Sequence, residues 1–214
     1  MIPAPLPRLY AICDLDQLQA RRQCPSALVD AWLEAGIRFI QLRAKSLTLG
    51  PMLDLANELV DRTHEAGAAL IINDRADVAK LSGADGAHVG QDDEAPVTVR
   101  EILGPGAIIG LSTHTPDQVA RACREPIDYL AIGPVFSTSS KDNPWPTVGL
   151  AGVEAAVAAV AGQLPVVAIG GITIDRAADV LAAGAASVAV ISDLLVDPLI
   201  DRARAWRHAT DLDF

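Results

Sequence analysis

Eight short β-rich runs alternate along this chain with eight Ala- and Leu-rich stretches of helical spacing, and no single motif constrains the fold as tightly as that alternation. The pattern predicts strands over Arg8–Asp14, Arg38–Arg43, Ala69–Asp74, Gly86–Gln91, Ala107–Thr113, Tyr129–Phe136, Pro165–Gly171 and Ser187–Ser192. It predicts helices over Ser26–Ala35, Pro51–Ala66, Ala76–Leu81, Val97–Leu103, Pro116–Arg124, Val153–Val160, Asp175–Ala183 and Leu194–Arg207. Runs such as Leu70-Ile71-Ile72 and Pro165-Val166-Val167-Ala168-Ile169 are apolar on both faces, as strands of a helix-covered parallel sheet are. The punctuation agrees: Thr115-Pro116-Asp117 and Thr173-Ile174-Asp175 start helices, and Gly36, Gly67 and Gly184 follow helical ends.

Eight βα units in 214 residues fit the small end of the (β/α)8 range. The expected fold class is α/β, a TIM barrel of parallel strands forming one domain over residues 1–214. An open doubly wound sheet is the alternative, although the first strand is not followed by GxGxxG and the chain has no GxxxxGK[ST] loop.

Composition narrows the partners. Against 17 basic residues stand 27 acidic ones, a formal charge of −10, so the overall field repels nucleic acid and anionic lipid. No apolar run approaches the roughly 18 residues that span a bilayer, and the prolines of Met1-Ile2-Pro3-Ala4-Pro5-Leu6-Pro7 interrupt any signal-peptide helix, so a cytoplasmic location is expected. Cys13, Cys24 and Cys123 form no CxxC pair and read as reduced thiols. A homo-oligomer stays open. The basic residues are fourteen Arg and only three Lys, which singles out Lys45 and Lys141, each just past a predicted strand.

Barrel enzymes carry their reacting groups at the C-terminal ends of the strands, and here those ends are polar. They read Gln41-Leu42-Arg43-Ala44-Lys45, Asn73-Asp74-Arg75, His88-Val89-Gly90-Gln91-Asp92-Asp93, Ser112-Thr113-His114 and Ser137-Thr138-Ser139-Ser140-Lys141. Alternation sets Gln41, Arg43 and Lys45 toward a common anion, against the plainer reading of a surface salt-bridge cluster. Asp74 and Asp93 close adjacent strands without a His- or Cys-rich set beside them, a donor set for a hard divalent ion such as Mg²⁺. The plainer reading pairs Asp74 with Arg75 or the next helix. Gly170-Gly171 and Val190-Ile191-Ser192 occupy the two loops where barrels commonly hold phosphate. The proline-bracketed segment after Lys141 reads as a lid or a plain surface loop. Among the histidines, His88 reads as packed core and His114 as a candidate acid or base.

Taken together, Gln41-Leu42-Arg43-Ala44-Lys45, Ile72-Asn73-Asp74-Arg75, Gly86 to Asp93, Gly110 to Thr115, Gly133-Pro134-Val135-Phe136 through Lys141, and Ala168-Ile169-Gly170-Gly171-Ile172 resemble thiamine phosphate synthase, in that family's order and spacing from about Leu9 to Ser192. The resemblance implies joining a hydroxymethylpyrimidine diphosphate to a phosphorylated thiazole, carboxylated or not, with loss of diphosphate. It implies that Gln41, Arg43, Lys45, Asn73, Ser112 and Lys141 bind the pyrimidine diphosphate. Of these, Arg43, Lys45, Lys141 and Ser112 would be catalytic. It gives Asp74 and Asp93 to Mg²⁺, Thr138 and Ser140 to the thiazole, and Gly171, Ile191 and Ser192 to its phosphate. Ser140 and Ala44 depart from the family's usual Thr and Glu. Asp193 is the less expected departure: it either caps the last helix or competes with the phosphate for a helix N-terminus. A thiazole tautomerase of the same superfamily and a noncatalytic phosphate-binding barrel are the alternatives.

Overall fold

The computed structural model describes residues 6–138 and 145–211. Eight strands close into a barrel in chain order: β1 (Leu9–Asp14), β2 (Phe39–Arg43), β3 (Ala69–Asn73), β4 (Gly86–Val89), β5 (Ile108–Thr113), β6 (Tyr129–Ile132), β7 (Val166–Ile169) and β8 (Ser187–Val190). Every neighbouring pair is parallel, and the pairing of Leu9 with Val188 joins β1 to β8, which rules out the open sheet. Around it lie α1 (Leu15–Arg21), α2 (Pro25–Glu34), α3 (Leu49–Glu65), α4 (Ala76–Ser82), α5 (Pro96–Leu103), α6 (Pro116–Ala122), α7 (Gly149–Val160), α8 (Ile174–Ala182) and α9 (Leu199–Asp211), with a 3-10 turn over Ser192–Leu194.

The strands are shorter than the apolar pattern suggests, for local reasons. The predicted run to Phe136 stops at Ile132, because Pro134 has no N–H for a ladder. The run to Gly171 stops at Ile169, where Gly170 and Gly171 turn to φ +105° and +62°. The single predicted helix over Leu194–Arg207 is instead the 3-10 turn followed by α9, with Pro198 between them. Helix α1 was not expected. Asp14 starts it by accepting from the Gln17 N–H at 3.1 Å.

Inside the barrel the rings of Tyr10, Phe39 and Tyr129 pack together, with centroids 4.2 Å apart for Tyr10 and Phe39 and about 6 Å for the other two pairs. Gly110 makes the room: a Cβ there would meet the Tyr129 ring at 2.0 Å and His88 Nδ1 at 2.5 Å. The two buried tryptophans, Trp32 on α2 and Trp206 on α9, lie on helices that pack against each other and against β1. Among the described residues no helix is long and apolar enough to cross a membrane.

Candidate active site

The C-terminal rim is built from adjacent strand ends. Asp14 and Arg43 are register partners across β1 and β2, and Arg43 Nη1 lies 2.6 Å from Asp14 Oδ2, with the Asp14 side chain wholly buried. Arg43 also stands 3.8 Å from Asp16. Two residues earlier Gln41 turns into the barrel, where Nε2 donates to Tyr10 Oη at 2.7 Å. Lys45, half exposed, stands 3.1 Å from Asp74 Oδ2. The three residues set toward one anion therefore each carry a partner of their own, and Asp14, which the sequence reading passed over, is the most deeply buried of those partners.

At the next two strands Asp74 adopts φ +62°, a left-handed conformation that Asp tolerates better than most residues. Its N–H donates to His88 O at 2.8 Å, and its carboxyl faces Lys45 and Asp93. Asp93 is fixed by accepting from the Gly90 N–H at 2.7 Å. Burial, then the hydrogen bond and the charge of Asp93, push the Asp74 carboxyl above the usual range, while Lys45 pulls it back. Arg75 turns away to Asp77 at 2.6 Å, so the pairing of Asp74 with Arg75 is not what forms. Lys45, buried Asn73 and Asp74 line a cavity of about 210 Å³. Among the described residues no three His, Cys, Asp or Glu side chains gather for a metal. An ion held by Asp74 and Asp93 would complete its shell with water and substrate phosphate, as Mg²⁺ does.

A buried polar chain crosses the barrel below this rim. Gln41 donates to Tyr10 Oη, Tyr10 Oη lies 2.9 Å from Tyr129 Oη, Tyr129 Oη 2.9 Å from His88 Nδ1, and His88 Nε2 2.8 Å from Ser112 Oγ. Burial raises both phenols, keeping them neutral donors at ordinary pH. His88 is packed core, as its place in β4 suggests, yet it also holds Ser112. The Gln41 carbonyl oxygen is buried with no hydrogen-bond partner among the described residues.

Across the rim, Ser112, His114, Thr138, Gly171, Ile191 and Ser192 line a second cavity of about 400 Å³. A Cβ on Gly171 would meet Ser137 O at 2.5 Å, so the left-handed glycine lets that wall close up. His114 Nδ1–H donates to Gly133 O, 2.6 Å away, and its ring stacks on Trp145 at 5.1 Å. Arg176, a site residue that sequence reasoning missed, lines the same cavity; its Nη1 donates to Gly171 O at 3.0 Å and its guanidinium lies over Phe136. Asp193 caps α8 rather than the last helix, accepting from the Ile174 N–H at 3.2 Å. Ser140 and Lys141, with most of the expected lid, lie outside the described residues.

Residues 9–194 match the family model described as thiamine monophosphate synthase. A thiamine-phosphate synthase of Koribacter versatilis is 44% identical over 195 residues, covering 90% of this chain and 91% of that protein. One from Roseiflexus castenholzii is 41% identical over 211 residues, covering 99% and 91%. A solved structure of a thiamine phosphate pyrophosphorylase from Pyrococcus furiosus superposes with a TM-score of 0.84 at 32% identity, covering 95% of each chain.

Proposed function

Because the chain belongs to the thiamine monophosphate synthase family and carries out the condensation that yields thiamine phosphate, we propose how its own residues divide that reaction. The pyrimidine diphosphate takes the side of Gln41, Arg43, Lys45 and Asn73, with Ser112 reaching it from the wall of the neighbouring cavity and Lys141 assigned to it from the sequence after β6. The thiazole phosphate takes the cavity of Thr138, Gly171, Ile191 and Ser192, and Ser140 is assigned to the same substrate by the family resemblance alone. The observation that carries this division is the pair of cavities at one rim, one lined by Lys45, Asn73 and Asp74 and the other by Gly171 and Ser192.

Asp74 and Asp93 would hold Mg²⁺. The fit rests on the donor set: the Asp74 carboxyl faces that of Asp93 at one rim, hard oxygen ligands of the kind that Mg²⁺ takes. When bound, that ion supplies charge to the departing diphosphate.

The chain's residues do the rest by placement. The buried Gln41 carbonyl oxygen accepts from the pyrimidine amino group, while the Tyr10, Tyr129 and His88 chain keeps the amide from turning. Arg43, Lys45 and Lys141 face the diphosphate, whose bond to the pyrimidine methylene breaks with the electron pair leaving on oxygen. The thiazole nitrogen lone pair then forms the new C–N bond. Neither step requires a protein nucleophile, and Ser112 serves as a hydrogen-bonding group held by His88.

Incubating purified protein with both substrates, with and without Mg²⁺, and weighing the product tests this. Thiamine phosphate that forms at the same rate after chelation would overturn the metal assignment, and no thiamine phosphate under any condition would overturn the division as a whole.

A further inference from the structure

Asp193 lines the same cavity as Gly171 and Ser192, so a bound phosphate would feel its nearby carboxylate as a like charge. It is nonetheless held there by a dedicated set of donors. Asp193 Oδ2 accepts from Arg202 Nη2 at 2.6 Å, from Trp206 Nε1 at 2.8 Å and from the Ile174 N–H at 3.2 Å. Arg202 Nε also donates to the Asp193 main-chain oxygen at 3.0 Å. Both ends of Asp193 are thus gripped by α9, and Ser192 precedes it in the same 3-10 turn. Arg202 is not among the residues lining the cavity, and Trp206 is fully buried. Both lie past residue 194, where the family match ends, so nothing in the matched span supplies them.

We propose that Arg202 is the counter-charge of the phosphate cradle. It cancels Asp193, so that the phosphate of the thiazole substrate meets backbone N–H groups beside a neutral ion pair instead of a bare carboxylate. It acts through Asp193 and is a positioning residue. The inference rests on reading Gly171 and Ser192 as that cradle.

Steady-state kinetics with both substrates and a thermal midpoint for each variant test it. Arg202→Gln leaves Asp193 uncompensated and raises KM for the thiazole phosphate on the order of tenfold, with KM for the pyrimidine diphosphate changed less than about twofold. Asp193→Asn frees the Arg202 charge and moves the thiazole phosphate KM the other way, below wild type. The double variant returns toward the wild-type value. A purely structural role gives a different pattern, with both KM values rising together or the double variant as weak as Arg202→Gln, and either result overturns the proposal. If Arg202→Gln does not fold, Asp193→Asn decides alone, since a raised thiazole phosphate KM there contradicts the charge argument. Gly171→Ala tests the cradle separately. If it leaves the thiazole phosphate KM unchanged, the cradle and the counter-charge both fall. If it raises that KM while Arg202→Gln does not, the cradle stands and the counter-charge alone is wrong.

Discussion

Arg43 enters the site already paired with a carboxylate that water does not reach: Asp14, its register partner on β1, is wholly buried and 2.6 Å away. The pair aims the guanidinium along the rim. Removing Asp14 leaves the largely buried Arg43 with only the exposed Asp16, 3.8 Å away, and removes the cap of α1. Asp14→Ala is expected to cost about 3 kcal/mol of stability, at the low end for breaking a buried pair. KM for the pyrimidine diphosphate should rise as well. A denaturant midpoint within error of wild type would show that the pair does not hold the rim.

Burial first, and the contact with Asp93 next, work against the ionised Asp74 carboxyl near neutrality. The folded state holds Asp74 above the usual carboxylate range, so its favourable contribution is present in acid and is lost as pH rises through the raised value. Asp93→Asn is therefore expected to raise the thermal midpoint at pH 7 while lowering kcat/KM at least ~10²-fold, about the loss of one well-placed charge in an active site. Mg²⁺ should lift the midpoint of the wild type and not of this variant. In acid, where Asp74 is protonated in the folded and the unfolded chain alike, the gain in midpoint should vanish.

Tyr10→Phe removes the hydroxyl that Gln41 donates to and that meets Tyr129. Leaving buried polar groups unpaired costs roughly 1–3 kcal/mol. With Gln41 no longer held, KM for the pyrimidine diphosphate should rise while that for the thiazole phosphate stays put. Equal changes in both would mean that the chain merely supports the barrel.

Lys141, placed by sequence alone, is expected to act on the departing diphosphate more than on substrate binding. Lys141→Ala should lower kcat ~10²–10³-fold with a smaller change in KM, and Lys141→Arg should rescue only part of it. Near-normal kcat in the alanine variant would demote the loop to a connection.

Alkali should unfold the protein through its buried acids. Burial, with the Asp14 charge next, pushes the Cys13 thiol from its ordinary 9.0 to about 12, and both Tyr10 and Tyr129 stand above their ordinary 10.0. All three stay protonated when folded and ionise when unfolded. Stability from Cys13 is complete below about 9 and is lost between 9 and about 12. The tyrosines add to the loss above 10. Denaturation curves from pH 8 to 11 should steepen past 10, and Tyr10→Phe should flatten that limb.

The barrel was legible because its period and punctuation are local: apolar runs, Ala-Gly helix ends and the Thr-Pro-Asp start all act within a few residues. That Asp74 and Asp93 share one rim was legible for the same reason, since Asp74 follows β3 directly and Asp93 lies in the short turn after β4. What escaped depends on closure. Tyr10 and Tyr129 are 119 residues apart and meet only because the barrel brings β1 and β6 across its interior. Asp14 gave no signal until β2 lay beside it. Asp193 looked like the cap of the next helix because neither Ile174 before it nor Arg202 and Trp206 after it can be read as neighbours along the chain.

The seam between β1 and β8 sets an order on the making of this protein. Leu9 cannot find Val188 until every residue between them has left the ribosome. Until then the nascent sheet carries two unpaired edges, open to the wrong strand. The half of the site on β2 to β4, with Lys45, Asp74 and Asp93, belongs to the chain's early length, whereas Gly171 and Ser192 arrive with the strands that shut the ring. A chain truncated during synthesis therefore carries Lys45, Asp74 and Asp93 and lacks Gly171 and Ser192.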